Sequence, residues 1–254
     1  MTDTALEVDN VSLRFGGIQA LLEVSASVQP GEILGIIGPN GAGKTTLLNI
    51  MSGIYRPDSG TVHLNGVNAT GKSLHRVARY RVARTFQQPS LLTGETVWTN
   101  VMLGRQIHLR KGVISNLLYG GGTRREERVH GKIVENALSM TGIEHLADRE
   151  VSSLPHGALR LVELARAIVM ESKVLLLDEP ASGMTLDERE EIAAVLRRIR
   201  SEVGTAQVLI EHNVNFVSSL CDQIIVLNFG QVIARGTPTE VLADPQVSLV
   251  FLGH

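Results

Sequence analysis

The chain has 254 residues, with 24 Lys+Arg against 26 Asp+Glu, a net charge of −2 and 43% hydrophobic residues. That composition is ordinary for a globular protein with a sizeable core, and without a basic excess it excludes a dedicated nucleic-acid binder. The single Cys221 excludes an internal disulfide framework, no run reaches the ~20 apolar residues of a membrane helix, and the first ten residues lack the basic and apolar regions of a signal peptide, so a soluble cytoplasmic chain is expected.

In chain order, residues 7–15 and 21–28 alternate apolar and polar side chains, the period of half-buried strands, and Pro30-Gly31 supplies a turn. Residues 32–38 are nearly all apolar, as in a strand covered on both faces. A Gly-rich loop follows, then a helical stretch at 45–52 and a short strand at 61–64 before the Asn65-Gly66 turn. Residues 88–157 change character: they are polar and helix-prone, and within 124–140 the apolar positions 129, 133, 134, 137 and 138 share one helical face. The α/β pattern then returns, with helices at 159–170 and 188–201, strands at 174–177, 207–210, 224–227 and 232–234, and a terminal helix at 245–253. The spacing predicts one domain: an α/β core from 1–87 and 158–254, interrupted by a helical insertion at 88–157.

Gly38-Pro39-Asn40-Gly41-Ala42-Gly43-Lys44-Thr45 fits G-x-x-x-x-G-K-[ST] at every fixed position, and Thr46 follows it. Its glycines let the backbone turn several N–H groups onto a phosphate, and the helix behind it adds its positive end. Lys44 is placed to reach the β- and γ-phosphates of a nucleotide and the Thr45 hydroxyl to ligate Mg²⁺. This loop does not choose among kinases, GTPases and ATPases. The apolar run Val174-Leu175-Leu176-Leu177 ends in Asp178-Glu179. Asp178 is a candidate holder of Mg²⁺, and Glu179 a candidate to polarise an attacking water.

With these motifs in this order, the chain resembles the ATP-binding subunits of ABC transporters over nearly its whole length. The resemblance implies a P-loop NTPase core of ABC type, with an antiparallel β subdomain and an inserted helical subdomain. It implies that Phe15 stacks on adenine, and that Gln87, in Arg84-Thr85-Phe86-Gln87-Gln88, contacts Mg²⁺ and the lytic water, with Gln88 as the alternative register. It makes His212, in Ile210-Glu211-His212, the switch histidine on the γ-phosphate. Ser182-Gly183-Met184-Thr185 loosely matches the segment after the carboxylates. The family signature Leu-Ser-Gly-Gly-Gln is here Leu154-Pro155-His156-Gly157-Ala158. Pro155 offers neither a hydroxyl nor an N–H. In the family this segment serves the partner subunit's ATP, because two subunits sandwich two nucleotides head to tail. The partner is a second copy or a different ATP-binding subunit; in the latter case the two sites are expected to be unequal.

Its longer helical insertion makes the chain resemble the larger of the two ATP-binding subunits of branched-chain (hydrophobic) amino-acid importers, the branch of the family to which it is most similar. Four features carry this: Arg84-Thr85-Phe86-Gln87; Leu154-Pro155-x-Gly157; Glu211 before His212, where Thr is usual; and the tail from Phe229-Gly230 through Gly236-Thr237-Pro238 to Asp244-Pro245. The implied partners are integral-membrane permease subunits and, indirectly, a periplasmic binding protein, with the chain peripheral on the cytoplasmic face of the inner membrane. An importer of urea or amides, and a soluble ABC ATPase such as the iron–sulfur assembly type, are the alternatives. Residues 105–132 carry a charge of +5 from Arg105, Arg110, Lys111, Arg124, Arg125, Arg128 and Lys132 against Glu126 and Glu127, leaving −7 on the rest. This basic segment is a candidate for contact with anionic lipid or with the permease.

Overall fold

A computed structural model describes residues 4–85, 90–108 and 124–252. Two sheets organise it. In the antiparallel sheet, β1 (Leu6–Phe15) lies between β2 (Ile18–Val28) and β4 (Ser59–Leu64), and the two-residue β5 (Val67–Asn68) adds an edge. Leu6, Val8, Val11 and Leu13 point inward. The alternation skips a beat between Val8 and Val11, where the register shifts and Asn10 takes a φ of 48°. That is a bulge at a residue type that tolerates the left-handed region.

The second sheet has the order β10-β9-β3-β8-β7-β6. Its strands β3 (Ile33–Ile37), β6 (Val82–Arg84), β7 (Val174–Asp178), β8 (Ala206–Ile210) and β9 (Gln223–Asn228) run parallel, and β10 (Gln231–Gly236) turns back antiparallel on β9. Every residue of β3, β7 and β8 is buried, because both faces are covered. Successive side chains alternate between faces. Ile33, Ile37, Leu175, Leu177 and Leu209 join one core, with the helical layer. Leu34, Ile36, Leu176, Val208 and Ile210 join a second core, shared with α1 (Lys44–Met51) and the antiparallel sheet.

The helical layer is built from α3 (Val97–Leu103), α4 (Arg124–Thr141), α5 (His156–Val169) and α6 (Leu186–Arg198). In α4 the buried stripe is Val134, Ala137 and Leu138, while Val129 is exposed, so the apolar face starts a turn later than the sequence pattern indicates. Helix α5 begins three residues before the expected start at 159: Pro155 holds the N-cap position and His156, Gly157 and Ala158 are already helical. It therefore runs across the boundary drawn at 158. Helix α6 opens on a capping box between Thr185 and Glu188 and ends in a π-turn at Ile199–Val203, closed by Gly204. Short elements not foreseen from periodicity are β5, β6, α2 (Leu74–Arg79), α3, α7 (Val214–Leu220) and α8 (Pro238–Ala243); α9 (Pro245–Leu252) matches the terminal helix.

The basic segment is not one continuous charged face. Arg105 is buried; it donates to Val169 O at 2.6 Å and to His130 Nδ1 at 3.1 Å, and it pairs with Glu171 at 3.2 Å. Arg128 and Lys132 are exposed. Arg110 and Lys111, and the side chains of Arg124 and Arg125, lie outside the described residues.

Candidate active site

The site forms where the parallel strands end. Past β3 the chain must turn sharply under β9, and Gly38 makes this possible: its φ is 150°, and a Cβ there would stand 2.1 Å from Leu227 O. Gly43, at φ 103°, has the Ala20 carbonyl 2.8 Å from where its Cβ would be. We expect Gly38→Ala to lose at least roughly 1–3 kcal/mol from backbone strain alone, before the collision with the carbonyl is counted. Urea unfolding of the purified chain checks this, and a stability within 0.5 kcal/mol of wild type, about the size of a neutral surface change, would contradict it.

Helix α1 starts at Lys44 with no side-chain cap on Gly43. The N–H groups of its first turn have no intrahelical acceptor, so an anion at this end satisfies them. Lys44 is buried, and its Nζ donates to Gly38 O at 2.8 Å and Pro39 O at 2.9 Å, which folds it back over the loop. Burial pushes its pKa down, against the nearby Glu179 and Asp178 carboxylates, which raise it.

Asp178 closes β7 and is 4% exposed. Its Oδ2 accepts from Arg84 Nη2 at 3.0 Å. Arg84, at the end of β6, also donates to Asn49 Oδ1 at 2.6 Å and Ser52 Oγ at 2.7 Å, so one guanidinium ties the carboxylate strand to the helix behind the phosphate loop. Burial raises the Asp178 pKa, and Arg84 pulls it back down.

Glu179 stands one residue on, at φ 50°, with its N–H on Ile210 O at 3.0 Å. Its Oε1 lies 2.6 Å from His212 Nε2. Residues 18–20 and 40–46, Glu179 and His212 line one cleft of about 280 Å³. A phosphate-binding backbone, a lysine, a carboxylate and a histidine thus converge, though they come from three distant stretches of chain.

Thr45 is exposed in this cleft, and Asp178, one residue before the cleft-lining Glu179, is buried. A hydroxyl and a carboxylate are hard oxygen donors and suit Mg²⁺, which takes its remaining ligands from water and phosphate oxygens. Phe15 is 45% exposed and meets Tyr55 edge-on, ring centres 5.2 Å apart. It is not a core residue, and it does not line the cleft; Ile18, Gln19 and Ala20 from the next strand do. Gln87 and Gln88 lie outside the described residues.

In the signature segment Leu154 is half-buried, and Pro155 and His156 are exposed at the start of α5. Gly157 is buried beneath Glu188, whose Oε1 is 2.7 Å from where a Cβ would be. Pro155, Gly157 and Ala158 line a groove of about 560 Å³ with Leu161 and Glu188, apart from the P-loop cleft. Two residues of the site were not assigned a role from sequence. In the sequence Arg84 stands only as part of a motif, and Glu211 only as a departure from Thr. Each has a partner far away in the chain, Asp178 for Arg84 and Ala181 for Glu211.

The pattern of the ABC transporter family matches residues 21–182. The high-affinity branched-chain amino acid transport ATP-binding protein BraF of Pseudomonas aeruginosa is 34% identical over 254 residues, covering all of both chains. The corresponding protein LivG of Escherichia coli K12 is 35% identical, again over the full length of both. Among solved structures, an ATP-binding cassette of an ABC transporter in its ADP conformation superposes with a TM-score of 0.85 at 31% identity, over 99% of each chain. A dimeric ATP-binding cassette in a post-hydrolysis state, bound to ADP and Pi, superposes with a TM-score of 0.76 at 25% identity over 92% of this chain and 98% of that one.

Proposed function

The chain belongs to the ABC transporter family of ATP-binding proteins and is an ATPase of that type; from this premise we propose that it energises an importer of branched-chain amino acids. The observation that carries the hydrolytic part is the Glu179–His212 pair, 2.6 Å apart, in the cleft lined by the phosphate loop. The substrate class rests on the full-length similarity to BraF and LivG.

In this reading the loop from Gly38 to Thr46 binds the phosphates of ATP, and Lys44 exchanges its two carbonyl partners for β- and γ-phosphate oxygens. Thr45 and Asp178, with Gln87, would hold Mg²⁺, which supplies charge neutralisation on the phosphates. Glu179 accepts a proton from the attacking water, and His212 orients Glu179 and donates toward the γ-phosphate. Phe15 is proposed to reach the adenine from the hairpin end of β1. The helical part at 88–157 is proposed as a distinct subdomain that moves against the core and carries the signature segment at its end.

The separation of that segment from the chain's own P-loop cleft supports an action in trans, with Leu154, Pro155, His156, Gly157 and Ala158 facing a nucleotide held by a second ATP-binding subunit. No helix among the described residues is long and apolar enough to cross a membrane. The proposed location is the cytoplasmic face of the inner membrane, bound to permease subunits that carry the spans and meet an extracytoplasmic binding protein.

The test is reconstitution of the chain in vesicles with a permease and second ATPase subunit from the same organism. ATP-dependent uptake of labelled leucine is the expected result. Uptake of urea or short amides instead would replace the substrate class, and ATP hydrolysis with no permease in the purified assembly would replace the transport role. We also expect Lys44→Ala to weaken ATP binding by roughly tenfold or more, since charge-assisted hydrogen bonds to phosphate are worth about 1.5–3 kcal/mol. A fluorescent-nucleotide titration measures it.

A further inference from the structure

Glu211 directly follows β8 and is 3% exposed. A carboxylate buried this deeply needs hydrogen-bond donors. Its Oε1 accepts the Ala181 N–H at 2.9 Å, and its Oε2 accepts the His212 N–H at 3.2 Å. Those donors belong to the two loops that carry the reacting pair: Ala181 is two residues after Glu179, and His212 is the pair's other member.

The turn after β7 is where this grip matters. Glu179 takes a φ of 50°, a conformation that a residue with a side chain keeps only where its surroundings hold it. Two backbone bonds contribute, Glu179 N–H to Ile210 O at 3.0 Å and Ser182 N–H to Glu179 O at 3.2 Å. The third restraint comes from the Glu211 side chain. Since the same carboxylate holds His212 from behind, a shift of either loop would be felt by the other.

We propose that Glu211 is a positioning residue for ATP hydrolysis, which spans the two loops with its two oxygens and so sets the 2.6 Å contact between Glu179 and His212. The inference rests on the ATPase reading of the site but not on the transported substrate. A glutamine cannot replace the carboxylate, because its amide nitrogen is a donor and would face a backbone donor. An aspartate keeps the charge but is one methylene too short to reach both loops.

The experiment compares wild type with Glu211→Gln. In the full-length ¹⁵N-labelled chain, the amide exchange of Ala181 is expected to quicken about tenfold on loss of its acceptor, while Val208 and Leu209 in β8 keep their protection. The ¹⁵N shift of His212 Nε2 is expected to move toward that of an unpartnered imidazole. In the assembled transporter, kcat should fall about tenfold with the KM for ATP within about twofold, the mark of a contact that matters in the transition state. An unchanged His212 shift, or loss of Val208 protection in step with Ala181, would overturn the proposal, the second by showing general loosening. If Glu211→Gln does not fold, Glu211→Asp is put through the same measurements, with the same shifts expected and the same overturning results. Absence of hydrolysis in the wild-type assembly would strike the ATPase reading; the His212 shift and Ala181 exchange would still decide whether Glu211 sets the pair.

Discussion

Glu179→Gln is expected to bind ATP as wild type does and to turn it over roughly 10²–10⁴-fold more slowly, the range in which removal of a general base falls. The amide has the size and shape of the carboxylate, so the left-handed backbone at this residue and the contact with His212 survive. What is lost, on the proposed role of Glu179, is the ability to take the proton of the attacking water. Steady-state phosphate release gives the rate, and an equilibrium titration gives the affinity. A loss below tenfold would show that another group takes the proton. The same change made separately in the partner ATPase tests whether the two sites differ. Pro155 and His156 stand where the family has Ser and Gly, so the site completed by this chain's signature is expected to be the weaker. Equal losses from the two single changes would argue against that asymmetry.

Arg84→Met is expected to cost about 3–5 kcal/mol of stability, the usual effect of removing one member of a buried ion pair. Both side chains are nearly inaccessible, 5% for Arg84 and 6% for Asp178, so water cannot take over the vacated bonds. Methionine fills similar space, which isolates the electrostatic part. The loss falls on Asp178, left buried without its cation, and on Asn49 and Ser52, which give up bonds of 2.6 and 2.7 Å. Adding Asp178→Asn should recover part of the loss, because the stranded charge is then gone. Urea unfolding of the single and double variants reads both effects, and a single-variant loss under 1 kcal/mol would mean that the pair is solvated after all.

What could be read from the chain alone was whatever lies contiguously in it. The phosphate loop is eight successive residues, and β3, β7 and β8 are apolar runs whose burial on both faces leaves no other role for them. The carboxylates at the end of β7 follow from the same run. Contacts that join distant stretches left no local trace. Arg84 and Asp178 are 94 residues apart, and Glu211 and Ala181 are 30 apart. The start of α5 was hidden because Pro155 caps it without a side-chain hydrogen bond, so His156-Gly157-Ala158 reads as loop. Arg105 looked like part of a charged surface because a buried arginine with carbonyl and histidine partners has the same sequence as an exposed one. Phe15 ended on the surface against Tyr55, in a strand whose register is broken between Leu13 and Arg14.

The strand order β3-β8-β7 also bears on when the protein can first work during its synthesis. The phosphate loop leaves the ribosome early and the two carboxylates much later, but their strands are not neighbours. Strand β8, the last of the three to be made, lies between them and pairs with both. Until it inserts, β3 and β7 have no strand between them, Arg84 alone of the contacts described above joins the Asp178 end of β7 to the helix behind the loop, and His212 has not yet emerged. A nascent chain that stops before residue 206 holds the complete phosphate-binding motif and no hydrolytic site. The full Glu179–His212 pair therefore comes together only after β8 is in place, and until then β3 and β7 each present an unpaired edge, the kind of surface that invites pairing with another chain.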